Sequence, residues 1–175
     1  MEGSNANILN LTPHSDDPKD LLELAAKSIA QVFELNDLLT ESMEGACLVM
    51  RAEASSLLML DDASESLHMM VPTGPVKGEI TEASVPKDKG ICGWVLRNQK
   101  SVVLNDVEKS DQFWGELADN FHTRNMICVP LIDSKGDAFG VVQALNKHKG
   151  EDFTQQDIQL FEALAKHIVN AFERI

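Results

Sequence analysis

Residues 144–168 read ALNKHKGEDFTQQDIQLFEALAKHI, and the periodicity changes halfway along. The run that leads into it, AFGVVQALN (138–146), is β-like. From Thr154, a suitable cap, the apolar positions Ile158, Phe161, Leu164, Ala165, Ile168, Val169 and Phe172 fall on one side of a long helix. Asn146 and Lys147 close the strand, and Phe153 and Asp157 open the helix. Turns favour Asn and helix starts favour acids, but the four together read as a tie between two elements.

Outward from this stretch the chain alternates short strands and helices. NMICVPLID (125–133) precedes the turn SKGD, so it forms a hairpin with AFGVVQALN. A first hairpin joins SSLLMLD (55–61) to LHMMVP (67–72) through the turn DASES, and a short edge strand follows at 83–86. GICGWVLRN (90–98) reads as a helix entered through glycines, SVVLND (101–106) as a strand, and DQFWGELADNF (111–121) as a short helix. Near the start, Leu21, Leu22, Ala25, Ile29, Val32 and Phe33 recur at helical steps. Leu38, Leu39, Met43, Ala46, Cys47 and Met50 continue the stripe past Asn36-Asp37, which offers a cap or a break, so the segment is either two helices or one bent one. Residues 1–18 read as a polar, flexible leader and 19–175 as one domain. Strands joined by short turns and covered by amphipathic helices give an α+β class with an antiparallel sheet.

Composition excludes more than it names. The chain has 175 residues, 43% hydrophobic and 25% charged, enough for one core that buries about two-thirds of the unfolded surface. Its net charge of −13, from 28 acids and 15 bases, repels phosphate backbones and anionic lipid. Neither nucleic acid nor membrane is therefore an expected partner. No apolar run approaches the ~20 residues of a membrane span, and no signal peptide opens the sequence, which leaves the cytoplasm as the expected location. Cys47, Cys92 and Cys128 form no C-x-x-C pair and sit among apolar neighbours, as buried reduced thiols do. The five His residues lack metal spacing, so no metal site is expected. Gly90-x-x-Gly93 is half of a phosphate signature, and no P-loop, G-x-S-x-G or separated carboxylate pair points to catalysis.

The ordered motifs resemble the GAF family of small-molecule sensory domains. That family's signature runs Asn-Lys, a spacer, Phe, three residues and Asp-Glu; here it is Asn146, Lys147, Phe153 and Asp157, with Ile158 in the Glu position. AEASSLLMLD, VPKDKGICGWV and TRNMICVPLI extend the match over nearly the whole domain. The resemblance is to regulatory GAF domains of cyclic-nucleotide phosphodiesterases, adenylyl cyclases and bacterial sensor proteins. It implies a PAS-like fold, with the terminal helices on one sheet face and short helices lidding a pocket on the other. It implies a Lys147–Asp157 salt bridge over a packed Phe153. For a pair at the surface, worth about 0–1 kcal/mol, loss of Phe153 at about 3–5 is the larger effect.

The same resemblance implies a non-catalytic module that binds a small molecule and signals through its terminal helices to an attached effector. Cyclic AMP or cyclic GMP is the ligand class of the nucleotide-binding members. Their contacts fall here on Ser56, Ile91, Cys92, Trp114, Thr123 and Gln143. Trp114 suits stacking on a purine, and Ser56, Thr123 and Gln143 supply hydrogen bonds. Two departures stand out: the interval from Trp114 to Thr123 is shorter than in nucleotide binders, and MMVPTG lacks an aromatic-acid pair. A purely structural dimerisation module is one competing reading. Free methionine-sulfoxide reductase, whose GVCG resembles residues 90–93, is another. A bilin attachment would need a Cys before His122, where Phe121 stands. Apolar helix positions Leu21, Ile29, Val32, Leu164, Ile168 and Phe172 predict a homodimer through the terminal helices. The final helix runs to Ile175 without a stop signal, as expected where an effector follows.

Overall fold

A computed structural model describes residues 15–73, 84–111 and 121–175. Helix α1 spans Pro18–Ala30 and α2 Leu35–Met50; strands β1 (Ala52–Asp61), β2 (Ser66–Thr73) and β3 (Ser84–Pro86) follow. Helix α3 covers Gly90–Asn98, then β4 Val102–Leu104, β5 Met126–Ile132, β6 Ala138–Lys147 and α4 Gln155–Arg174. The expected helix at 111–121 lies mostly outside the described residues.

The strands form one sheet in the order β3-β2-β1-β6-β5-β4, with every neighbouring pair antiparallel. Central β1 and β6 bury both faces, so each carries a near-continuous apolar run instead of strict alternation. On one face Leu57, Val142, Ala144, Ile127 and Val129 pack beneath α2 and α4, and α1 packs on both of those helices. On the other face Leu58, Val141, Cys128 and Met126 pack with Ile91, Val95 and Leu96 of α3. The domain thus has two cores divided by the sheet.

Local chemistry sets the helix ends. Asp17 caps α1, accepting from the Lys19 N–H at 2.8 Å, and Pro18 opens the helix where no donor is needed. The break between the first helices falls at 31–34, not at Asn36-Asp37; Asp37 lies in the first turn of α2, where an acid suits the dipole. Thr154 caps α4 reciprocally with Asp157. The strand expected at 101–106 shrinks to Val102–Leu104, because Asn105 turns its side chain to another segment.

Candidate functional site

On the α3 side, three strands place polar atoms in one row. Ser56 on β1 and Cys128 on β5 are both directly across from Gln143 on β6. Gln143 Nε2 donates to Ser56 Oγ at 2.8 Å, and its Oε1 accepts from Cys92 Sγ at 3.3 Å. Ser56, Gln143 and Cys92 are 2%, 5% and 8% exposed, so the row is buried in a largely apolar face. Burial, and then the adjoining Cys92 thiol, push the Cys128 thiol well above its ordinary range.

The row unites three of the six residues expected at a ligand site. Ile91 packs in the same apolar cluster, and Thr123 is buried in the segment leading into β5. Trp114 lies outside the described residues. The sequence assigned no site role to Cys128, whose part becomes visible only through strand register. The glycine entry to α3 suggests a close approach of the helix start to the sheet. A Cβ on Gly93 would instead meet the Lys87 carbonyl oxygen at 2.6 Å, so the close approach is to the segment before the helix.

A second polar cluster fixes the start of α4. Lys147 Nζ lies 2.6 Å from Asp157 Oδ2, and the same oxygen accepts from Thr154 N at 2.8 Å. The ammonium is 5.8 Å from the centroid of the buried Phe153 ring. Side-chain exposures of 10% and 11% place this pair in the interior, which corrects the surface-pair premise behind the expected ranking of Phe153 over Asp157. A buried charge left alone costs several kcal/mol, unlike an exposed one.

Asn146 has φ 58°, a left-handed conformation that Asn tolerates better than most residues. Its Oδ1 accepts the Arg124 N–H at 2.7 Å, and its Nδ2 donates to the His122 carbonyl at 2.8 Å. Two further asparagines complete the cluster. Asn125 Oδ1 accepts the Lys147 N–H at 3.0 Å and its Nδ2 donates to the Glu151 carbonyl at 2.9 Å. Asn105 bonds the backbone of Phe153. In the sequence Asn105 and Asn125 look like ordinary turn residues at strand ends.

The six apolar helix positions expected at a dimer interface have internal partners. Leu21, Ile29, Val32, Leu164 and Ile168 are buried within the single chain, and Phe172 meets Phe139 edge-on with centroids 5.7 Å apart. Helices α1, α2 and α4 pack on one another and bury these positions among themselves. Phe33, 70% exposed, and Ile175 are apolar residues left open at this end, and the Arg174 guanidinium stands 5.7 Å from the Phe33 ring. Among the described residues no group of three or more His, Cys, Asp or Glu could hold a metal ion, and no helix is long and apolar enough to cross a membrane.

Known proteins resemble this chain in sequence or in fold. A dual 3',5'-cyclic-AMP and -GMP phosphodiesterase 11A from Takifugu rubripes is 27% identical over 152 residues, covering 81% of this chain and 17% of the relative. The cone cGMP-specific 3',5'-cyclic phosphodiesterase subunit alpha' of Mus musculus is 34% identical over 108 residues, covering 58% and 12%. The chain therefore spans less than a fifth of the length of these relatives. Among solved structures, the GAF domain of an Acinetobacter phosphoenolpyruvate-protein phosphotransferase superposes with TM-score 0.77 at 19% identity, covering 91% of this chain and 94% of that one. The free methionine-R-sulfoxide reductase of Neisseria meningitidis, in complex with its substrate, gives 0.76 at 21% identity, covering 90% and 89%. The GAF domain family model matches residues 34–173, from the residue that opens α2 to the last turn of α4. With the antiparallel sheet, the helix layer behind it and that match, the chain belongs to the GAF domain family.

Proposed function

We propose that this chain is a non-catalytic regulatory module that binds a small polar molecule over the Ser56–Gln143–Cys92 row. The carrying observation is Gln143: a primary amide buried in an apolar face, bonded among the described residues through a hydroxyl and a thiol. Core packing alone has no use for an amide there, since burying one costs about 1–3 kcal/mol unless it is fully paired. A ligand that offers a better donor and acceptor replaces the weak thiol bond at little cost. Cyclic nucleotides are the first ligands to test, because curated relatives of this chain are cyclic-AMP and cyclic-GMP phosphodiesterases. Ile91 and Thr123 complete the proposed contact set, with Trp114 as the aromatic partner.

The signal leaves through α4. Asn105 and Asn125, on either side of residues 112–120, both bond the segment that opens that helix, so a shift near the ligand is felt at Phe153 and Asp157. An attached effector and a homodimer contact through Phe33 and Ile175 belong to the same proposal.

The reductase reading draws on fold likeness to the Neisseria enzyme. Against it, Cys128 is fully buried with a raised thiol pKa, which slows exchange with an external thiol and suits a slowly reversed bond better than repeated turnover. Native mass spectrometry of freshly purified protein, followed by calorimetric titration, tests the proposal. A retained small molecule, or saturable binding weakened by Gln143→Ala, supports it. Thiol-dependent turnover of free methionine sulfoxide would replace it with the enzyme reading. A chain that retains no small molecule, binds neither nucleotide and sediments as a dimer would favour the structural module.

A further inference from the structure

We propose that Cys92 and Cys128 form a reversible disulfide that locks α3 to β5 above the polar row. The three cysteines divide between the faces of the sheet. Neighbouring residues on a strand point to opposite faces, and Cys47 Sγ donates to Ser55 Oγ at 3.2 Å on the helix-layer side. Cys92 joins Ser56 through Gln143 on the other side. Cys47 is thus separated from the other two thiols by the sheet itself. Cys128 is directly across from Gln143 in the β5–β6 register, and Gln143 Oε1 accepts from the Cys92 thiol, so both sulfurs border the same side chain. Both thiols are free in this structure, they come from different elements, and they share one apolar cluster.

The oxidant class is a hydroperoxide. Cys92, 8% exposed against 0% for Cys128, is the sulfur such a molecule reaches first. The Cys92 sulfur attacks a peroxide oxygen, the O–O bond breaks, and an alcohol or water leaves, giving a sulfenic acid. The Cys128 sulfur then attacks the Cys92 sulfur, and its proton departs with the sulfenic oxygen as water. Two thiols have lost two protons and two electrons, and the peroxide has taken them up. A dithiol reductant reverses the bond by exchange. In the disulfide, Cys92 no longer donates to Gln143 Oε1, so the polar row changes with the redox state. The bond itself does not depend on the ligand reading.

The test treats the native 175-residue chain with a few equivalents of hydrogen peroxide, alkylates remaining thiols in denaturant, and measures intact and peptide masses. The expected product has lost about 2 Da, carries Cys92 and Cys128 in one cross-linked peptide, leaves Cys47 alkylated, and reverts with dithiothreitol. Cys47→Ser should lose the same mass, and Cys128→Ser should gain one or two oxygens at Cys92 instead. A disulfide that includes Cys47 would overturn the proposal, as would Cys92 sulfinic acid beside a free Cys128 or two thiols that stay reduced. Nucleotide binding plays no part in this readout, so the two proposals fail separately.

Discussion

Asn105 holds Phe153 by both of that residue's backbone groups: Oδ1 accepts the Phe153 N–H at 2.8 Å, and Nδ2 donates to the Phe153 carbonyl at 3.0 Å. One side chain thus does what a neighbouring strand would do, at a point where β4 has ended. Phe153 packs beneath the Lys147–Asp157 pair, so this amide links the end of β4 to the first turn of α4. Asn125 adds a bond from its own amide to Asn105 Oδ1 at 3.4 Å.

Asn105→Ala should therefore cost about 1–3 kcal/mol, the penalty for part-buried backbone groups left without partners. Urea unfolding measures it. Asn105→Asp keeps the acceptor and loses the donor, and should leave the Phe153 carbonyl unpaired. Unchanged stability in both variants would mean that water replaces these bonds freely.

The Lys147–Asp157 pair is predicted to behave as a buried one. Asp157→Ala should cost about 3–5 kcal/mol, because it strands an ammonium in the interior and removes the α4 cap partner. That matches the range for Phe153→Ala. The double variant Lys147→Met, Asp157→Asn should cost less than the sum of its singles, since neither charge is left alone. Additive losses in a double-mutant cycle would refute the coupling.

Gly93→Ala brings a methyl to 2.6 Å from the Lys87 carbonyl oxygen, a backbone atom that has little room to give. The helix start must shift, at about 1–3 kcal/mol. Because Cys92 is the adjacent residue, its bond to Gln143 should lengthen with that shift, and a crystal structure of the variant reads it directly.

The Cys128 thiol gives stability a high-pH limit. Its folded pKa is raised, by burial first and by Cys92 second, so the unfolded chain ionises this thiol at lower pH than the folded one. The unfolded state then binds fewer protons, and stability falls as pH rises. The contribution is complete below the ordinary thiol value of about 8.5 and is lost above it by up to about 1.4 kcal/mol per pH unit. Cys128→Ser lacks this group. Its stability deficit against the parent should narrow between about pH 8 and pH 10 in urea melts; a constant deficit would contradict the assignment.

The periodicity of the sequence carried most of the fold. The strands, the helix at 90–98 and the capped final helix were legible because residues at those positions pack by local rules. The Asn-Lys-Phe-Asp tie was legible because its parts are close in sequence. Asn105 and Asn125 were not, since an Asn at a strand end is ordinary until the fold brings a distant backbone to it. Cys92 and Cys128 meet only through strand register and the seating of α3, which no spacing rule encodes. The helix stripes misled for a related reason: periodicity reports apolar width, and here three helices absorb it among themselves.

The central claim is that a small molecule over Ser56 and Gln143 is felt at the start of α4. Amide hydrogen exchange with and without cyclic AMP or cyclic GMP, each at about 1 mM, which detects affinities down to about −4 kcal/mol, tests both halves at once. The account predicts slower exchange around Ser56, Gln143 and the first turn of α3, accompanied by a change at residues 153–157. Identical exchange in those segments with either nucleotide would contradict it for this ligand class. Protection at Ser56 and Gln143 with none at 153–157 would contradict the coupling.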